Sequence, residues 1–352
     1  MNTITFRSHD DLISAVPHFL RFHPEGMVCV PLSGDGPVAR LDLPPTPKEM
    51  EPFLQTLSDT YLRRHPTQRI ALLAYGDNAK ACIEALSELG DRLANGQHRP
   101  DVDPVLWVNG DEWFDVLTGT SGTVDPSARA RMDAEFALMG RVRPSGSRTD
   151  LAAALQGDPA PVAAHLAAAQ ERLKEMDLSG FNTEVEWLGS RLDKFTENRQ
   201  PLSDVDAART VAAIQSGTAR DAVLIRLTRA SAPVHTDLWR DLVRRSPEEV
   251  RDQAACILAL SSYMDGDGGH AWVALDQIEG ARPALAEVVR TALEHAVRPE
   301  VLERMFHDPS RGSASMQQAV LRNQPTQGLR GHEHNNTSNR GIEGPGSASP
   351  SR

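Results

Sequence analysis

Cysteine is scarce: the 352 residues hold three, Cys29, Cys82 and Cys256, far apart and odd in number. That count argues against a disulfide framework, and zinc-ligand spacing is absent. Each sits in an apolar pattern and is expected to be a buried structural thiol, with Cys29 the one to test for reactivity. No window approaches the ~20 uninterrupted apolar residues of a membrane helix, and the first residues lack the basic-then-apolar pattern of a secretion signal. A cytoplasmic chain with no membrane partner is expected. Positive charge is also short, with 37 Lys and Arg against 48 Asp and Glu, for a net charge of −11. Coating nucleic acid or an anionic membrane needs the opposite sign, so nucleic acid is not the expected partner.

Catalytic signatures are missing too. Gly119-Thr120-Ser121-Gly122 lacks the spacing of a nucleophile elbow, and no lysine follows it as a phosphate loop requires. Asp265-Gly266-Asp267-Gly268-Gly269 has its glycines misplaced for a calcium loop, and the twelfth position is Asp276 where such loops carry a bidentate glutamate. Neither a metal nor a cofactor is expected. The glycines more simply join two helices, with Asp267 capping the second.

What is present is enough apolar sequence for two ordinary domains, 40% hydrophobic residues beside 24% charged. Ile4 and Phe6 alternate with threonines and predict a short strand. Ser8 then caps a helix whose stripe is Leu12, Ile13, Val16 and Leu20, and Pro17 predicts a kink or a fresh short helix. His23-Pro24-Glu25-Gly26 turns the chain into a buried strand, 27–32. A Ser33-Gly34-Asp35-Gly36 connection leads to an alternating strand, 38–43. Thr46, Pro47 and Glu49 start a helix reaching about Arg64. Residues 70–75 read as a second buried strand, 78–93 as a helix loosened near Gly90, and 105–108 as a third strand. This is an α/β domain over 1–147: a mixed sheet with an early hairpin and later parallel strands. The Gly/Ser/Thr stretch at 118–123 reads as a flexible loop that could act as a lid.

Strand signals then stop. Helical spacing recurs at 150–155, 161–176, 183–198, 203–215, 221–229, 232–245, 247–264, 270–278, 282–295 and 299–306. This predicts a mainly α-helical domain over 148–310, with antiparallel helix pairs. Ala255, Leu258, Ala259, Ala271, Leu275 and Pro283 follow the tetratricopeptide pattern once, which predicts an isolated helical hairpin in place of a solenoid. From about residue 311 the chain is Gly, Ser, Asn, Gln and Pro, a composition that predicts a disordered tail over 311–352.

Asp11-Leu12, Ala15-Val16-Pro17, Leu20, Phe22-His23-Pro24 and Val28, then Arg40 and Asp42-Leu43-Pro44, form a set. It resembles the opening of an uncharacterised bacterial family, domain of unknown function 4192, found mainly in high-GC Gram-positive bacteria. His235, Trp239, Gly266-Asp267-Gly268, Ala271 and Ala274-Leu275 are similar to its second half. Family members commonly carry glycine where this chain has Arg21, and a cysteine- and proline-containing segment where it has 118–123. The resemblance implies a bacterial cytoplasmic setting and no mechanism.

The densest titratable group is His9, His18 and His23 with Asp10, Asp11 and Glu25. The histidines are not at the spacing that would set a metal, and a structural role is expected in which His23 holds the corner's backbone. His23, Glu25 and Asp42, near strand ends, are the candidate ligand-binding residues. Two functions follow. The first is a regulatory or interaction protein without catalytic activity, taking a protein partner through its helical domain and a small molecule on its α/β half. The alternative is a hydrolase or transferase on a small polar metabolite near the His23 corner.

Overall fold

The computed structural model describes residues 4–34, 36–141, 144, 146–280 and 282–307. The predicted disordered tail lies outside them. Residues 4–7 join no ladder; Ile4 and Phe6 instead pack with Phe19, Met132 and Phe136. Ser8, in extended backbone, caps α1 (His9–Leu20) by accepting from the Asp11 amide at 3.3 Å. The helix runs through Pro17 unbroken. The lost backbone bond is offset by ties on both sides of the proline to one later helix, α5. Asp11 pairs with Arg131, and His18 Nε2 lies 2.7 Å from Asp133.

The six-stranded sheet has the order β2-β1-β3-β4-β5-β6. β1 (Gly26–Pro31) pairs antiparallel with both β2 (Ala39–Leu41) and β3 (Arg69–Tyr75). β3 runs parallel to β4 (Asp101–Asn109), and β5 (Glu112–Asp115) and β6 (Ser121–Thr123) continue antiparallel. Between β2 and β3 the chain makes a 3-10 turn (Pro47–Glu49), α2 (Met50–Gln55), a π-helical turn (Thr56–Tyr61) and α3 (Leu62–Arg64). The Thr46 side chain accepts from no backbone amide of this run; its hydroxyl donates to the Glu49 carboxylate at 3.1 Å, and its carbonyl accepts from the Glu49 amide at 3.0 Å. α4 (Ala79–Asn95) follows β3, capped by Asn78 and continuous through Gly90.

The buried strands are apolar on both sides because helices cover both sides. Met27, Cys29, Leu72, Ala74 and Val105 meet Leu57, Leu62, Leu86 and Leu89 on one face. Val28, Val30, Leu73, Leu106 and Val108 meet Leu12, Ile13 and Val16 of α1 on the other. α5 (Pro126–Leu138), capped by Asp125, packs against α1 on that second face.

Ten helices follow among the described residues: α6 (Arg148–Ala153), α7 (Ala160–Lys174), α8 (Leu178–Asn198), α9 (Asp204–Ala213), α10 (Gly217–Leu224), α11 (Ala232–Arg245), α12 (Glu248–Met264), α13 (Gly268–Leu275), α14 (Ala284–Glu294) and α15 (Pro299–Phe306). Every residue of α12 from Ala254 to Met264 is buried. It is enclosed by α9, α11, α13, α14 and α15, so the single tetratricopeptide-like match belongs to a central helix and its neighbour. No described helix is long and apolar enough to cross a membrane.

Candidate functional site

The corner that carries His23, Glu25 and Asp42 is built by a glycine. Gly26 has φ +85°, and a Cβ there would stand 2.4 Å from the Leu41 carbonyl oxygen, so the turn into β1 beside β2 admits no side chain. His23 and Glu25 are exposed. The His23 amide donates to the Gly146 carbonyl at 2.9 Å, so it is the backbone of this residue, not the imidazole, that holds the corner. Arg40 Nε donates to the Glu25 carbonyl at 2.8 Å, and its Nη2 lies 2.6 Å from Asp42. Arg148 approaches Asp42 at 3.8 Å and Asp276 of the helical half at 2.6 Å. Arg40 thus links Glu25, through its backbone, to the Asp42 carboxylate, while the His23 ring stands apart on the surface.

The two blocks of sequence that carry the family resemblance meet in space. α1 ends at Arg21, which takes the left-handed conformation at φ +62°. Its guanidinium lies 2.5 Å from Asp265 and 3.5 Å from Asp267. Phe22 packs onto Gly269, where a Cβ would come within 2.3 Å of the ring. Asp267 caps α13 as expected, accepting from the His270 amide at 2.9 Å, and also contacts the His270 ring at 2.7 Å. Burial and the nearby Arg21 charge both lower the pKa of Arg141 beside this joint. His235 and Trp239 stand one turn apart inside the helical core. Burial lowers the His235 pKa to about 4, so the ring is neutral near pH 7.

Other titratable groups are consumed in packing. Glu184, 1% exposed, accepts from Arg209 through two 2.6 Å bonds and from Arg172 at 3.0 Å, and Arg209 stacks over Trp187. Burial raises the Cys29 and Cys256 thiols to about 12, and the Cys82 thiol is raised as well. Cys29 is therefore protonated and unreactive at neutral pH. No group of three or more His, Cys, Asp or Glu among the described residues could hold a metal ion.

A cleft of ≈ 510 Å³ lies elsewhere, on the sheet face that α4 covers only as far as β4. Its floor is the cross-strand pair Trp107 and Phe114, with Ile83 of α4 at one wall. Glu112, Ser121 and Thr123 line the rest, with Trp113 of β5 and Gly122 of the edge strand β6. Trp107 is fixed by a 2.9 Å bond from its indole N–H to the Gly76 carbonyl. Trp113 faces the other way: it donates to Asp10 at 2.9 Å and meets the His9 ring edge-on. Asp115, 1% exposed, accepts from the Leu117 and Thr118 amides, with His9 Nε2 at 3.7 Å.

The cleft leaves no mark on the sequence, whose Gly/Ser/Thr composition at 118–123 predicts a flexible loop. The segment is instead a turn and the edge strand β6, paired with β5. A signal for β5 was present in Gly110-Asp111, a two-residue loop closing Asn109 on Glu112 with glycine, at φ +59°, in its first central position.

A family model described as Domain of unknown function (DUF4192) matches residues 10–300. No curated protein and no solved structure matches the chain.

Proposed function

Because the chain belongs to the family described as domain of unknown function 4192, a description that assigns no activity, we propose that it is a bacterial cytoplasmic protein of the regulatory or interaction kind. It would bind a ligand or partner in the β4–β5–β6 cleft without transforming it. The observation that carries this reading is the pair Trp107 and Phe114 on a sheet face open to a ≈ 510 Å³ cleft. Concave, mostly apolar sites of ~300–1,000 Å³ with a few polar groups are where small ligands are held. Among the described residues the cleft lining contains a carboxylate and two hydroxyls but no histidine, cysteine or lysine to act as base or nucleophile. The expected protein partner on the helical half remains part of the proposal, with Leu178, Val205 and Ile225 as exposed apolar contacts.

The alternative, a hydrolase or transferase at His23, Glu25 and Asp42, has less support. Asp42 is paired with Arg40 and Arg148, and none of the three lines the cleft.

The test is a thermal-shift screen of metabolites on the full chain and on Phe114→Ala. A ligand of the folded state at a hundredfold excess over its Kd stabilises by about 2.7 kcal/mol, a shift of several degrees. The expected result is a compound that raises the wild-type Tm, fails on Phe114→Ala and is recovered unchanged. A compound that is consumed, or whose effect survives Phe114→Ala and disappears with Asp42→Asn, overturns the reading in favour of the corner.

A further inference from the structure

Two flat rings form the floor of the cleft, and the indole is anchored before any ligand arrives. Trp107 and Phe114 are directly opposite across β4 and β5, and the Trp107 indole is tethered to the Gly76 carbonyl. A ring face is the negative end of an aromatic quadrupole, so two of them attract positive charge. Glu112 sits two residues before Phe114, hence on the same face of β5, and is exposed. No ion pair or side-chain hydrogen bond to another described residue engages it, whereas its neighbour Asp111 is paired with Arg129 at 2.5 Å. Ser121 and Thr123 add hydroxyl acceptors on β6, Thr123 opposite Glu112 and Ser121 opposite Phe114.

The lining also excludes alternatives. Among the described residues it contains no lysine, arginine or histidine, so a phosphate-bearing ligand would find no counter-charge there. The chain's net charge of −11 disfavours anions further. A neutral ligand could use the rings and leave the Glu112 carboxylate idle.

We propose that the β4–β5–β6 cleft is a site for an organic cation, an alkylammonium or guanidinium group held over Trp107 and Phe114 and neutralised by Glu112. This rests on the binding role proposed above for the same cleft. The same chemistry is offered by a free amine and by a lysine or arginine side chain on a peptide.

The experiment uses the full chain and follows the tryptophan indole N–H resonances, five in number, with Trp107→Phe to assign the cleft signal. The probes are choline, its uncharged carbon isostere 3,3-dimethylbutan-1-ol, Nα-acetyl-arginine amide, Nα-acetyl-lysine amide and a lysine- and arginine-containing hexapeptide. The expected result is a saturable shift of the Trp107 signal with the cations, with the neutral isostere at least roughly fivefold weaker. Glu112→Gln is expected to weaken the cations roughly two- to tenfold and leave the isostere unchanged. Unmoved signals from the other indoles show that this exposed substitution leaves the fold intact. A hexapeptide binding tenfold tighter than the single amides identifies a peptide source, and one no tighter identifies a free amine.

If the isostere binds as tightly as choline, or Glu112→Gln changes nothing, the cation assignment is overturned while the cleft's binding role stands. If no probe moves Trp107, the cation assignment fails again, and the screen with Phe114→Ala alone decides whether the cleft binds anything.

Discussion

At the scale of single residues, three positions show how local backbone and packing fix what is tolerated. Arg21 is the clearest. An L-residue in the left-handed region costs roughly 1 kcal/mol relative to glycine, and here the side chain offsets that cost through Asp265 and Asp267. Arg21→Gly should therefore be more stable than Arg21→Ala by about 1 kcal/mol, because both lose the ion pairs and only alanine keeps the strain; chemical denaturation of the two variants checks it. Gly122 presents the opposite case. A Cβ there would lie 2.6 Å from Cζ2 of Trp113, so Gly122→Ala must displace the indole that Asp10 holds. Overpacking of this kind costs about 1–3 kcal/mol, expected as a lowered denaturation midpoint with an unchanged slope. His235 supplies a pH dependence. Its folded pKa of about 4 lies below the ordinary value of 6.5, so as pH falls below 6.5 the unfolded chain takes up a proton that the folded chain refuses. Stability is present in full above pH 6.5 and is lost progressively toward pH 4, and His235→Gln should flatten that decline in a pH series of thermal melts.

At the scale of elements, α1 and the β5–β6 hairpin show what pattern can and cannot reveal. The stripe Leu12, Ile13 and Val16 was readable because burial on one helix face repeats at a fixed spacing. The unbroken course through Pro17 was not, because the ties that hold it, His18 to Asp133 and Asp11 to Arg131, span 115 and 120 residues. Asp11 is fully buried while Arg131 is partly exposed, so removing the arginine strands a carboxylate in the core. Arg131→Ala is expected to cost roughly 2–4 kcal/mol, against under about 1 for Arg129→Ala at the exposed Asp111 pair; equal losses in denaturation would contradict the burial argument. The hairpin was missed for a different reason. Glu112–Asp115 and Ser121–Thr123 are too short for a strand pattern, and each depends on its neighbour, the first on β4 and the second on β5. The candidate cleft inherited that blindness, since Trp107, Glu112 and Phe114 converge only once the hairpin is folded back on β4.

At the scale of the whole molecule, residues within and beside the two blocks that carry the family resemblance form a joint. Phe22 on Gly269, Arg21 on Asp265 and Arg148 between Asp42 and Asp276 all cross from the α/β part to the helical part. His65 Nε2 to the Ala296 carbonyl at 2.7 Å adds a further crossing. The proposed division near residue 148 is thus bridged at several points, and unfolding of the full chain is expected as one transition seen together by far-UV and tryptophan signals. Two separated transitions would show that the joint couples the parts weakly. The architecture was legible as a class because a buried sheet followed by helices leaves a compositional trace; the joint was not, because ion pairs between distant loops leave none.

The sheet ends on both sides in a strand of three residues, β2 and β6. An exposed edge is an invitation to another chain, and its strength grows with the row of unpaired amides it offers. Here each row is short, with Arg40 in the middle of one and Ser121 and Thr123 bounding the other. The same brevity that hid β6 from pattern reading makes both edges poor templates for sheet-to-sheet aggregation.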